Sequence, residues 1–156
     1  MKLIAALLLS STLLVSSSSR AAARPPETLA TSPLDRQDIM ALLTNYTRAV
    51  STKDEVLFEK LLLNKEIPFS YVTTDSAKIA GSGTANYEAF RKGVFEGDPF
   101  TQAFKDVSIE QDGNLANVRL VFINTSATST SWGWKTLQLL KVNGAWKIAS
   151  EFYTVH

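Results

Sequence analysis

From Asp35 onward, apolar side chains return at Ile39, Leu42, Leu43, Tyr46 and Val50, the spacing of one buried helical stripe. Ahead of it, Ser32, Pro33 and Asp35 supply an N-cap, a first-turn proline and an acidic partner three residues after the cap. Thr52 and Glu55 repeat that capping pattern and predict a shorter second helix with Phe58, Leu61 and Leu62 facing inward. IPFSYVTT, residues 67–74, reads as a strand from its aromatic and β-branched content, with Pro68 near its start. GSGTANYEAFRKGVFEG then offers a glycine turn, a cap at Thr84, a Tyr87-Phe90-Val94 stripe and a stop at Gly97, which predicts a third helix. Gly81 and Gly83 lack the later Gly and the Lys-Ser/Thr of a phosphate loop, so they read as a plain turn.

Beyond Phe104 the helical period disappears. Val107–Glu110, Leu115–Asn124, Trp134–Val142 and Ala145–Val155 are strand-like runs separated by QDGN, TSATSTS and NG, and an antiparallel meander of four strands accounts for them. Helices first and strands afterwards predict an α+β domain with helices on one face of a sheet. Asn143-Gly144 is the strongest turn signal, because a two-residue type I′ turn needs positive φ at both positions. Carried along unbroken alternation, it sets Lys141 opposite Trp146, Leu139 opposite Ile148, Leu137 opposite Ser150 and Lys135 opposite Phe152, all on one face. Trp134, Thr136, Gln138, Glu151 and Tyr153 fall on the other. Around QDGN the same argument groups Val107 and Ile109 with Ala116, Val118, Leu120 and Phe122, and leaves Arg119 on the wetter side as a cross-strand ion-pair partner.

The ends change the picture next. Residues 1–23 combine Lys2, an apolar run from Leu3 to Val15, a serine tract and Ala21-Ala22-Ala23, the layout of a cleaved signal peptide, which predicts a secreted or periplasmic protein. Residues 24–33 read as a flexible leader and residues 34–156 as the domain. Losing Lys2 and Arg20 moves the formal charge from +1 to about −1, with no footprint for nucleic acid or, in the mature form, for a membrane. With no Cys, stability must come from the core, and thiolate chemistry and thiolate metal sites are excluded. Asn45-Tyr46-Thr47 and Asn124-Thr125-Ser126 are acceptor triplets that matter only in a glycosylating secretory pathway.

Three helices followed by a meander, and above all the closing VNGAWKIASEFYTVH with the weaker NYTRAVSTKDEVLFEKLL helix pair, resemble the nuclear transport factor 2-like superfamily, SnoaL-like proteins included. The resemblance spans residues 35–156. It implies a cone-shaped fold, with helices packed in the concavity of a curved, mostly antiparallel sheet, a pocket inside, and Trp146, Ile148, Ser150 and Phe152 pointing into it. It also implies a homodimer through the outer sheet face, on which Trp134, Thr136, Gln138 and Tyr153 would lie. Enzymes that resemble it place Asp, His or Tyr inside the cone. Here the comparable last-strand positions hold Ser150 and Phe152, neither of which titrates near neutral pH.

The remaining chemistry is sparse. His156 is the single histidine and sits at the chain end, so no metal site and no cofactor is expected. The sheet carboxylates Asp106, Glu110 and Glu151 fall on the wetter face, Asp75 and Asp98 lie in loops at a rim, and no serine stands in a G-x-S-x-G elbow. What is left for an interior is aromatic and hydroxylic: Tyr46, Tyr71, Tyr87, Phe90, Trp146, Ser150 and Phe152 are the candidate ligand-binding residues. This favours a domain that holds a hydrophobic small molecule over one that transforms it. The alternatives are an isomerase, cyclase or dehydratase using Tyr46 or Tyr71 as donor and Asp75 as base, and a non-catalytic dimerising domain.

Overall fold

The computed structural model describes residues 30–73 and 83–156. Residues 1–23, expected as a signal peptide, residues 24–29 of the expected leader, Asp75 and Gly81 lie outside them. Helix α1 (Pro33–Thr52) begins where the pattern places it: Ser32 Oγ accepts from the Asp35 N–H, and Pro33 occupies the first turn. Its buried face is Ile39, Leu42, Leu43, Tyr46, Ala49 and Val50. It ends on Lys53 in the left-handed conformation (φ 57°), whose N–H returns to the last helical carbonyls. Helix α2 (Glu55–Glu59) is therefore capped by Asp54, whose carboxylate accepts from the Leu57 N–H, and Thr52 belongs to α1.

Helix α3 (Tyr87–Arg91) is capped by Asn86, with Thr84 one element earlier in a short strand, and it widens into a π-helical turn over Lys92–Glu96 before Gly97. The sheet contains β1 (Phe69–Thr73), β2 (Gly83–Ala85), β3 (Thr101–Asp112), β4 (Leu115–Thr125), β5 (Thr130–Val142) and β6 (Ala145–Val155), in the spatial order β2-β1-β6-β5-β4-β3. All neighbours are antiparallel except β1 and β6, which run parallel. The helices and the inner sheet face share one core, built on Ile39, Tyr46, Phe58, Phe69, Leu120, Leu137, Leu139 and Ile148. The architecture is α+β, with the expected meander as β3 to β6.

The register departs from unbroken alternation at two places. The turns are as expected: Asp112 pairs with Leu115 and Val142 with Ala145, with Asn143 and Gly144 at φ 51° and 80°. From the second turn the pairing runs as expected through Leu139 and Ile148. A bulge then inserts Ala149, so that Gln138 pairs with Ser150, Leu137 with Glu151, Thr136 with Phe152 and Lys135 with Tyr153. Each residue after it faces the opposite side from the one alternation predicts. Glu151 is buried and Phe152 is 47% exposed. The bulge lies where β6 changes neighbour: Ile148 exchanges hydrogen bonds with Leu61 and Leu63, whereas the Glu151 N–H donates to the Pro68 carbonyl at the entry to β1. In β3 a second irregularity, with Asp106 at φ 52°, turns Phe104 and Gln102 inward beyond Val107.

Candidate functional site

Lys135 and Glu151, diagonal neighbours across β5 and β6, are the buried charged residues of the described chain, and both point at α1. Lys135 Nζ lies 2.7 Å from Glu151 Oε1, in ion-pair contact. Tyr46, on the buried stripe of α1, completes the group: its hydroxyl donates to Glu151 Oε2 at 2.7 Å and accepts from Lys135 Nζ at 2.8 Å. Four rings surround the ammonium, those of Tyr46, Phe122, Tyr153 and Phe104, with centroids 4.6, 5.1, 5.2 and 5.8 Å from Nζ. An ammonium and a carboxylate removed from water are tolerated because each has the other and a phenol within contact.

Electrostatics assign the protons. Burial first, and the Glu151 charge second, raise Tyr46 well above the ordinary phenol range, so the hydroxyl keeps its proton and remains a donor. Burial lowers Lys135 from the ordinary lysine range, partly opposed by Glu151. Tyr153 is raised by burial and then by Glu151. A phenol, an amine and a carboxylate in mutual contact form a set that can accept a proton at one atom and deliver it at another.

Two adjoining cavities lie beside this group. A chamber of about 420 Å³, open to solvent, is walled by Tyr71, Phe90, Gly93, Val94, Phe100, Phe122, Asn124, Tyr153 and Val155. A narrower extension of about 60 Å³ shares Phe90, Val94, Phe100, Phe122, Asn124 and Tyr153 and continues to Tyr46, Gln102, Lys135 and Glu151. The walls are mainly apolar. The amide pair Gln102 and Asn124, joined at 2.7 Å, adds polar atoms, and Gln102 Oε1 is buried without a partner.

Among the solved structures, a nuclear transport factor 2-like protein of unknown function from Shewanella baltica superposes with a TM-score of 0.63 at 16% identity, covering 81% of this chain and 98% of that one. The chain has the nuclear transport factor 2-like fold. Two other proteins match the fold comparably. A scytalone dehydratase-like protein from Novosphingobium aromaticivorans has a TM-score of 0.62 at 16% identity, with 79% and 85% of the two chains covered. A protein similar to the calcium/calmodulin-dependent kinase II association domain, from Exiguobacterium sibiricum, has a TM-score of 0.62 at 13% identity, with 81% and 97% covered. No family model and no curated protein sequence matches the chain.

Within this fold the expected ligand-binding residues separate. Tyr46, Tyr71 and Phe90 line the pocket. Tyr87 is buried but faces away from it, stacked on Phe58 with its hydroxyl on Glu59 at 3.0 Å. Trp146 points inward at the far end of the sheet, where its indole N–H donates to Asp35 Oδ1 at 3.0 Å. Ser150 and Phe152 are corrected by the bulge: Ser150 donates to Gln138 on the outer face, and Phe152 is exposed there. Tyr153 moves the other way, from the expected outer surface into the pocket wall. Arg119 stays on the outer face beside Ser108 and Thr136 but has no ion pair among the described residues. Glu151, Lys135 and Tyr153 are the residues of this candidate site that the sequence reading does not include. The available signal was Lys135, which the turn register already placed among inward apolar side chains, a position that demands a counter-charge.

Proposed function

We propose that the pocket is the active site of a proton-transfer enzyme acting on a small, flat, mainly apolar molecule that carries a carbonyl or hydroxyl group, in the manner of an isomerase, cyclase or dehydratase. The observation that carries this reading is Glu151 inside the pocket, within 2.7 Å of both the Tyr46 hydroxyl and the Lys135 amine. In it, Glu151 is the base that removes a proton from carbon, and Lys135 and Tyr46 donate to the oxygen on which charge develops. The apolar chamber excludes water and orients the ring or chain of the substrate. An inward carboxylate removes the ground on which holding a molecule was preferred to transforming it. The scytalone dehydratase-like neighbour supports the choice of reaction class as an analogy of fold.

Deuterium incorporation next to the carbonyl of 2-tetralone and of cyclohexanone, followed by NMR in D₂O, tests it. The protein is expected to accelerate exchange above buffer, and Glu151→Gln to lower that rate by roughly 10²- to 10⁴-fold. Binding of the ketones with no exchange would return the pocket to a holding role.

A second reading concerns assembly. The outer sheet face exposes Trp132 (47%), Trp134 (41%) and Phe152 (47%), with Val121 opposite Trp134 and Ile123 opposite Trp132 in register, and we propose that this strip is a homodimer surface. The association-domain-like neighbour supports it, and sedimentation as a monomer at micromolar concentration would remove it. Export to the periplasm or the exterior after removal of residues 1–23 is proposed on the pattern of that segment and is tested by the mass of the exported chain.

A further inference from the structure

We propose that Lys135 is also a nucleophile, forming an imine through its ε-nitrogen with the carbonyl carbon of a small apolar aldehyde or ketone seated in the pocket. The inference rests on the reading of Lys135, Glu151 and Tyr46 as a proton-transfer group. Three observations carry it. First, of the residues that line the chamber and its extension, Lys135 alone bears an amine, and it sits at the inner end. Second, its neighbours are placed to handle the protons that imine formation must move: a carboxylate oxygen in ion-pair contact with Nζ at 2.7 Å, and a phenol oxygen at 2.8 Å. Third, the surroundings already accommodate a cation at this nitrogen. Four aromatic rings and one carboxylate hold the ammonium, and a protonated imine would place the same single charge on the same atom.

The chemistry closes without an oxidant or a cofactor. Glu151 takes a proton from the Lys135 ammonium, and the free amine attacks the carbonyl carbon. The C–N bond forms as the C=O π bond opens, and the oxygen takes up the proton held by Glu151, giving a carbinolamine once nitrogen releases its second proton to the freed Glu151 carboxylate. The hydroxyl then leaves as water with that second proton returned by Glu151, and the C=N bond forms with one proton remaining on nitrogen. The sum is amine plus carbonyl giving imine plus water, with no change of oxidation state. A protonated imine withdraws electrons from the adjacent carbon more strongly than a carbonyl does, so the same carboxylate could then remove the proton there. Burial of Lys135, which favours the uncharged amine, is consistent with the role.

The test uses the full-length chain with hexanal or 2-tetralone, trapped by borohydride and read by intact mass and peptide mapping. A single reduced adduct on Lys135 is expected, absent from Lys135→Arg and formed roughly a hundredfold more slowly in Glu151→Gln. Mapping of the wild-type adduct decides the matter even if a variant fails to fold. Label spread over surface lysines with Lys135 unmodified would overturn the imine. If deuterium exchange still proceeds in that case, proton transfer stands without it; if neither adduct nor exchange is seen, both fall.

Discussion

Glu151 and Lys135 each have a buried charge whose compensation is the other. Removing one partner leaves the second without an equivalent in water or protein, so Glu151→Leu or Lys135→Met alone is expected to destabilise the fold by about 3–5 kcal/mol. Replacing both at once should be neutral, or stabilising by up to about 4 kcal/mol, because well-packed apolar groups avoid the desolvation of two ions. Urea unfolding midpoints of the two single variants and the double variant measure this. A stable, inactive double variant would show that the pair is kept for chemistry. Tyr46 extends the argument: Tyr46→Phe keeps the packing against Phe58 and Phe104 but removes the donor to Oε2.

At the scale of elements, the site depends on how α1 and the β5–β6 hairpin are held against each other. Asp35, in the first turn of α1, accepts from Lys141 Nζ at 2.6 Å and from the Trp146 indole at 3.0 Å, and so clamps the start of the helix to the turn end of the hairpin. Its carboxyl is held well below the ordinary range, first by Lys141 and then by Gln111 and Ser32. A depressed folded-state value means that the contribution is fully present above the unfolded value, near 3.9, and is lost as pH falls below it. The gap in melting temperature between the wild type and Asp35→Asn should therefore be constant from about pH 5 to 8 and narrow below about pH 4. A gap that instead varied across neutral pH would assign the effect to another group.

The same elements show what was legible before any coordinates. The α1 stripe, both two-residue turns and the meander follow from periodicity and turn chemistry, which are local. The phase of β6 beyond Ile148 is not local. It is set by the Ala149 bulge, at the point where β6 exchanges Leu61–Leu63 for β1 as its neighbour, and no residue type in IASEFY announces it. For that reason alternation from the turn predicts the inward Trp146 but not the outward Ser150 and Phe152. The short strand β2 was equally hidden, since GTA carries no strand pattern and is defined by its pairing with β1. Gly133 has a reason that sequence alone does not show: a Cβ there would stand 1.8 Å from the Thr154 carbonyl oxygen and 2.6 Å from the Phe122 ring, which forms a wall of the pocket.

On the scale of the whole molecule, the sheet has two faces with different tasks. The inner one carries the pocket and the ion pair; the outer one carries Trp132 and Trp134, together with Phe152, which the same shift that brought Glu151 inside placed there. If the outer strip joins two copies, Trp134→Ser combined with Phe152→Ser should convert the dimer to a monomer in sedimentation, because both remove apolar area from the middle of the face. Deuterium exchange on 2-tetralone should survive that change, since neither side chain lines the pocket.

Ala149 carries no chemistry, yet it acts as a parity switch for the final strand. Taking that one residue into the ladder, with nothing removed from the chain, would let odd and even positions trade places from Ser150 onward, offering the interior a benzene ring in place of an acid and leaving Lys135 without its counter-ion, whereas deleting it would keep Glu151 opposite Leu137. The character of this interior therefore depends on register as much as on residue identity: whether one link stands outside the ladder determines whether the hollow holds an acid.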